Sequence, residues 1–163
     1  MKGNQLRLSL QPYKYWVEIR DGDPDGLQLY LRHYSARNYL DGRARNRFVG
    51  PGERVVLITP ELNALFVWRR FKSLDSQKGI NCSIFRNESP RLSSEMIIEA
   101  ERFAVKKWGA TRAYTYVNDR KVRSANPGYC FRCAGWRRVG ITKRARLIIF
   151  AKQLAVFSNQ EGK

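Results

Sequence analysis

Apolar residues along this chain recur in two rhythms, a period of two that suits half-buried strands and a period near 3.6 that suits amphipathic helices. Residues 6–20, LRLSLQPYKYWVEIR, alternate around Pro12 and predict an edge strand or strand pair, because proline cannot donate to a central ladder. The cluster Asp21-Gly22-Asp23-Pro24-Asp25-Gly26 is a turn whose acidic run caps the next segment. Leu27, Tyr30, Leu31, Tyr34 and Tyr39 then fall mostly at helical spacings, predicting a helix over 27–40 that carries the only histidine, His33, beside Tyr34. After a loop from Gly42 to Gly52, VVLITP and LNALFVWRRF predict two strands of a hairpin around Pro60-Glu61. INCSIF, residues 80–85, reads as a buried strand with Cys82 in the core. Ser89-Pro90 predicts the start of the best helix, since Leu92, Met96, Ile97, Ala100, Phe103, Ala104 and Trp108 mark one face.

The stretch AYTYVND then predicts a strand over 112–118 that breaks at Asn118-Asp119. A basic loop leads to Asn126 in a cap position with Pro127 at the first helical residue, and Gly135 lies just past the end of this short helix. Two closing strands come next, Trp136 to Gly140 and Arg146 to Phe150, and the tail from Ser158 is polar and frayed. Interleaved strands and helices of this order predict one domain over 1–163 of the α/β (α+β) class, a mixed sheet with helices on its faces.

Charge sharpens the picture. Lys+Arg number 31 against 14 Asp+Glu, a net +17, so the summed field draws the protein to polyanions, nucleic acid first among them. The excess is concentrated after Glu101, where only Asp119 and Glu161 are acidic, so Asp119 is singled out as a group with a chemical purpose. Cys82, Cys130 and Cys133 form no disulfide framework and suit a reducing compartment. No apolar run matches a membrane span and the N-terminus lacks a secretory apolar core, which together predict a cytoplasmic protein.

Asp119, Ser124, Asn126 and Tyr129 gather at one strand-to-helix junction, where chemistry often sits. Cys130-x-x-Cys133 places two thiols on one helix face, and a structural zinc would need Cys82 and His33 to join them. A site from His33, Asp119 and a tyrosine would suit iron or another transition metal.

The second half, Ile80 to Phe150, resembles the GNAT acyltransferase fold, which implies a mostly antiparallel sheet with helices on both faces. In that family two splayed strands flanking the long helix hold an acyl-thioester, whose pyrophosphate lies on the helix N-terminus. The family's glycine-rich phosphate loop would fall on RNESPRLSSE, which holds no glycine. Acyl-coenzyme A is correspondingly less favoured as a donor, with Arg86, Ser93 and Ser94 left to meet a phosphate or a ribose.

A closer match runs through TYVNDRKVRSANPGYCFRCAGWRRVGITK together with His33-Tyr34. It resembles the Mom family of bacteriophage DNA-modification proteins, GNAT relatives that convert adenine in DNA to its N6-carbamoylmethyl form and so block restriction. That resemblance implies His33, Tyr34, Asp119 and Tyr129 as active-site residues. Asn126-Pro127-Gly128-Tyr129 also looks like the Asn/Asp-Pro-Pro-Tyr loop of adenine N6-methyltransferases, in which an amide oxygen holds the amine and an aromatic ring stacks on a base that has left the duplex. Ser124 and Asn126 are the substrate-binding candidates at this junction. The product implies a glycyl donor, with glycyl-tRNA favoured over a thioester by the missing glycines and the high positive charge.

Two other functions fit the same charge, a nucleic-acid binder without chemistry and an acetyltransferase for protein or small amines. For contact with double-stranded DNA the candidates are Arg43, Arg45, Arg47, Arg69, Arg70, Arg120, Lys121, Arg123, Arg137 and Arg138, mostly as phosphate ligands, and tRNA is a further expected partner as carrier of the donor. Titrating a labelled duplex at rising salt checks this: log affinity should fall with a slope of about −0.9 per phosphate neutralised, and a salt-independent affinity would refute it.

Overall fold

The computed structural model describes residues 12–155 except 38 and 44. Residues 6–11 of the first predicted strand and the tail from Ser158 lie outside them. The elements are β1 (Val17–Ile19), α1 (Pro24–Leu31), β2 (Glu53–Ile58), β3 (Ala64–Arg70), β4 (Ile80–Asn87), α2 (Ser93–Trp108), β5 (Arg112–Val117), α3 (Tyr129–Cys133), β6 (Arg137–Ile141) and β7 (Ile148–Gln153). The strands form one sheet in the order β1-β2-β3-β4-β5-β7-β6, antiparallel throughout except for the β4–β5 pair that α2 connects. This is the mixed, mostly antiparallel sheet expected of a GNAT-like fold.

Strand alternation divides the core into two layers. Val55, Leu57, Phe66, Trp68, Cys82, Val117 and Phe150 face α2 and α3, meeting Met96, Ile97, Ala100, Phe103 and Phe131. On the other face Val56, Ile58, Leu65, Val67 and Ile84 pack on Leu29, Tyr30 and Phe48, from α1 and the loop after it. Helices therefore cover both faces.

Three helix boundaries differ from the sequence pattern, two because a side chain captures the backbone and one because a glycine sets its turn. Asp23 caps α1 by accepting the N–H groups of Asp25 and Gly26, both at 3.0 Å, but the helix ends at Leu31 and does not reach Leu40. Beyond Leu31 the chain turns through His33 N–H to Tyr30 O and Ala36 N–H to His33 O, while the Tyr30 hydroxyl accepts from Arg37 N–H. Helix α2 starts at Ser93, not at Ser89-Pro90, because Asn87 organises the preceding loop. Its side chain accepts from the N–H and hydroxyl of Ser89 and donates to Arg91 O and Ser93 Oγ. Helix α3 starts at Tyr129, two residues after the predicted first helical residue Pro127, and Gly128 caps it at φ 80°. Only glycine suits that position, since a Cβ there would overlap the Phe150 ring as well as strain the backbone.

Two buried glutamates of α2 tie the chain together. Glu99 accepts the backbone N–H groups of Lys14, Tyr15 (2.8 Å) and Trp16 (3.1 Å), while Trp16 Nε1 donates to Met96 O, so the entry segment is clamped along the helix. Glu101 accepts from Trp136 Nε1 (2.8 Å) and from the Lys152 ammonium (2.9 Å), which also donates to Ala134 O. Burial pushes the Glu101 carboxyl up, and Lys152 and Trp136 pull against that shift. Replacing Glu99 with Ala leaves buried amides unpaired and should cost about 3 kcal/mol in urea unfolding, with Glu99→Gln costing clearly less. Equal stability of Glu99→Ala and the unaltered chain would show that the clamp does not matter.

Candidate functional site

The parallel pair is short. Its rungs are Ile80↔Ala113, Asn81↔Tyr114 and Cys82↔Thr115, and the last is reinforced by the Thr115 hydroxyl donating to Cys82 O at 2.8 Å. Beyond it β4 runs on to Asn87 and β5 to Val117 without pairing, so the strands splay. The parting coincides with a β-bulge. Val67 pairs with Ile84 and Trp68 with Cys82, which leaves Ser83 as the extra residue. The Ser83 hydroxyl is buried and has no hydrogen-bond partner among the described residues.

The segment after α1 delivers His33 and Tyr34 to this splay. It is held on β4 by Glu88, which takes both the Arg32 guanidinium (2.8 and 2.9 Å) and the Arg86 Nε (2.5 Å), while Arg86 Nη1 donates to Arg32 O at 2.5 Å. Arg32, then Arg86, hold the Glu88 carboxyl down at about 2. The His33 ring is buried, 4.4 Å from the Tyr34 ring. Its Nδ1 accepts from Ser35 N–H at 3.2 Å and meets the Ser35 hydroxyl at 2.7 Å. Burial, reinforced by Arg86, lowers the imidazole to about 4, against a hydrogen bond with the Phe85 backbone that acts the other way. The ring is therefore neutral at ordinary pH. Ser35 occupies Nδ1, and the ring packs against that of Tyr34.

Tyr34 reaches further. Burial raises its phenol, and the Asn118 backbone at the end of β5 acts in the lowering direction, so the hydroxyl meets the strand end that carries Asp119. Cys82 is close enough to contribute to the same shift. Asn118 shapes the turn: its carbonyl accepts from the N–H groups of Lys121 and Val122, and its side chain from Arg120 N–H. Asp119 stands exposed on that turn. Tyr34 thus meets the turn that carries Asp119, although 85 residues of chain separate the two.

Tyr129 opens α3, which packs on the α2 side of the sheet, and is 59% exposed. A hydrogen bond with Cys133, one turn on, raises its phenol. Cys130, beside it, points inward against the core, and burial raises its thiol. Cys82 is fully buried and is driven upward by desolvation. Among the described residues no three His, Cys, Asp or Glu side chains group as metal ligands, so the zinc set of Cys82, Cys130, Cys133 and His33 is not assembled. Ser124 and Asn126 are exposed and bonded to each other through Asn126 N–H to Ser124 Oγ at 3.1 Å.

The donor candidates are engaged in the fold. Arg86 is the strut just described, and Ser93 Oγ accepts from Asn87 Nδ2 at 2.9 Å, which leaves Ser94 in the uncapped first turn of α2. The DNA candidates divide. Arg45 lies on the Tyr30 and Tyr39 rings and donates to the Tyr30 hydroxyl, and Arg69 stacks on Phe71 at 3.7 Å and donates to Pro51 O. Arg43 pairs with Asp41, and Arg70 with Glu53. By contrast Arg47, Arg120, Lys121, Arg123, Arg137 and Arg138 are exposed and in no ion pair among the described residues. Lys143, Arg144 and Arg146 in the β6–β7 turn share that condition, and Arg120 Nη2 donating to Ala145 O at 2.7 Å joins the two basic segments into one strip.

Ser83, Asn118 and the β6–β7 cations carry no signal of a site in the sequence. A bulge leaves no mark in the alternation of INCSIF, whereas KRAR at 143–146 shows charge without a position. No helix among the described residues is long and apolar enough to cross a membrane.

No family model matches the chain, and no curated protein matches its sequence. Among solved structures, it is similar to an aminoglycoside acetyltransferase, AAC(6')-Ib, in complex with coenzyme A, at 13% identity over 67% of this chain and 70% of that one, with a TM-score of 0.44. A likeness of that size adds nothing to what the strand order itself displays.

The His33 environment generates a pH prediction. A buried imidazole whose folded pKa falls from 6.5 to about 4 leaves the unfolded state binding more protons between those values. Stability is therefore complete above pH 6.5 and is lost as the pH falls towards 4, by up to about 3 kcal/mol. In urea unfolding at pH 4.5 and 7, His33→Gln should show a smaller difference than the unaltered chain. An unchanged difference would place the acid sensitivity elsewhere.

Proposed function

We propose that this protein is an acyltransferase acting on the exocyclic amine of adenine in DNA, of the bacteriophage Mom type that shields DNA from restriction. The observation that carries the reading is the splay after Cys82–Thr115, with Tyr34 delivered to the end of β5 that bears Asp119. A splayed pair leaves backbone donors and acceptors free to hold an extended acyl donor, and the unpaired basic strip beside it suits a phosphodiester backbone.

In this reading Asp119 takes the proton from the attacking amine, for which an exposed carboxylate on an open turn is accessible. Tyr34 donates its hydroxyl hydrogen to the oxyanion that develops on the donor carbonyl, and His33 holds the Tyr34 ring in place. Tyr129, exposed and next to the Ser124–Asn126 turn, offers a ring to the extruded base, whose amine Asn126 would hold.

A glycyl donor accounts for the carbamoylmethyl group. The adenine nitrogen attacks the glycyl carbonyl and expels the carrier, a ribose hydroxyl of tRNA or a thiol, giving N6-CO-CH2-NH2. The free glycyl amine then attacks ring C6 through a five-membered intermediate, the original C6–N bond breaks, and that nitrogen leaves as the terminal amide. The product is N6-CH2-CO-NH2, with every atom retained. Engagement of Arg86, Ser89, Arg91 and Ser93 within the β4–α2 loop leaves few groups there for a pyrophosphate, which favours the RNA-borne donor.

Nucleosides from DNA of cells expressing the protein test the reading. The modified adenosine should appear, and with nitrogen-15 glycine the label should sit on the ring-attached nitrogen. Tyr34→Phe and Asp119→Asn should each lower the yield by about a hundredfold while leaving duplex affinity within twofold. Unaltered adenosine from folded protein would overturn the chemistry, and if that protein still binds the duplex it is a binder alone.

A further inference from the structure

On the α1 side of the sheet, α1 covers β3 and β4 but not β5, β7 and β6. There the β3–β4 loop folds back over β5 and, with the β6–β7 turn, encloses an open cavity of about 890 Å³. Phe71, Leu74, Tyr116, Ile141, Leu147 and Ile149 supply most of its walls. The loop is fixed: Ser73 Oγ accepts from Gln77 N–H at 2.7 Å, the Tyr116 hydroxyl donates to Asp75 at 2.5 Å, and Arg112 donates to Gln77 and to Lys78 O. The opposite wall is fixed as well, by Thr142 and Leu147 closing the turn with two bonds of 2.9 Å. Leu74 is wholly exposed at the mouth. Tyr114, fully buried and edge-on to Tyr116, turns its hydroxyl towards Ser73 and Asp75 of the wall.

We propose that this cavity receives an unpaired base of a single-stranded nucleic acid, with the flanking phosphates on the cationic β6–β7 turn. Three features select that occupant. The walls are apolar and aromatic, which suits the faces of a base, while Asp75 and Ser73 offer a carboxylate and a hydroxyl for its polar edge. Lys143 and Arg144 line the mouth, Arg146 lies just beyond and Arg120 is bonded across to Ala145, so phosphates on either side of the base meet unpaired cations. The same cations oppose a second copy of this chain, which would bring like charge against like. A duplex has no use for the concavity, since its bases stay stacked and present only edges.

The inference shares with the proposed function its attraction to nucleic acid, but none of its chemistry. The test is anisotropy with a labelled thymidine oligonucleotide, the uridine equivalent and a duplex, on the full chain. Leu74→Glu puts a carboxylate in the mouth without touching the core, and it should weaken the single strands about tenfold while changing duplex affinity less than twofold. Lys143→Ala with Arg144→Ala should flatten the salt dependence of single-strand binding by about 0.7 for each phosphate no longer neutralised. Tighter binding of uridine than thymidine would assign the cavity to RNA, and the reverse to DNA. Equal effects of Leu74→Glu on all three ligands, no effect on any, or displacement of the oligonucleotide by polyglutamate at equal charge would overturn the proposal. Loss of duplex binding alone, with the Leu74 effect intact, would instead count against the DNA-modification reading.

Discussion

Strands β4 and β5 pair in parallel for three rungs and then part inside a sheet that is otherwise continuous, and a parted pair leaves backbone donors and acceptors without ladder partners. Such groups must find water, side chains or a ligand. The bulge at Ser83 sets the place of the parting by shifting one residue out of the β3 register, and the Thr115–Cys82 bond closes the paired part against fraying. The surroundings of the opening are set by the same strands. The β4 strand offers a ledge on which Glu88 clamps Arg32 and Arg86, and that clamp brings a segment from the first quarter of the chain to the end of β5.

Rigid scaffolding converges on the same place from the opposite face. Glu101 joins α2 to β7 through Lys152 and to the residue before β6 through Trp136. The short α3, too brief to hold itself in water, is thereby kept against the sheet with Gly128 pressed on Phe150. A carboxylate and an ammonium in the interior are costly to desolvate, and here the indole N–H and a carbonyl satisfy what the ion pair alone does not.

The elements that rest on uninterrupted apolar rhythm are legible in the sequence. The face of α2 from Met96 to Ala104, the hairpin of β2 and β3 and the buried β4 stem directly from side-chain period. What local pattern cannot hold is the competition for backbone groups, so Ser89-Pro90 reads as a helix start until Asn87 is seen to occupy that loop. Tyr34 and Tyr39 sit at helical spacing beyond a helix that has already ended at Leu31. Charge in the sequence does not show what each cation touches either: Arg45 lies on tyrosine rings and Arg69 donates to Pro51 O. The pairing of His33-Tyr34 with Asp119 rests on a family likeness, because nothing in the local spacing of either segment points to the other.

The ion pairs are distributed unevenly along the chain. Apart from Glu101 with Lys152, those among the described residues join side chains before residue 92, whereas the described cations from Arg112 to Arg146 are in no ion pair. The molecule therefore carries a permanent electric moment as well as a net charge. Approaching a polyanion, it experiences a torque that turns the 120–146 side forward before any contact forms, across roughly the 8–10 Å over which salt leaves a field intact. Orientation is then selected during diffusion, which raises the rate of productive encounter while leaving the lifetime of the bound state to the contacts themselves.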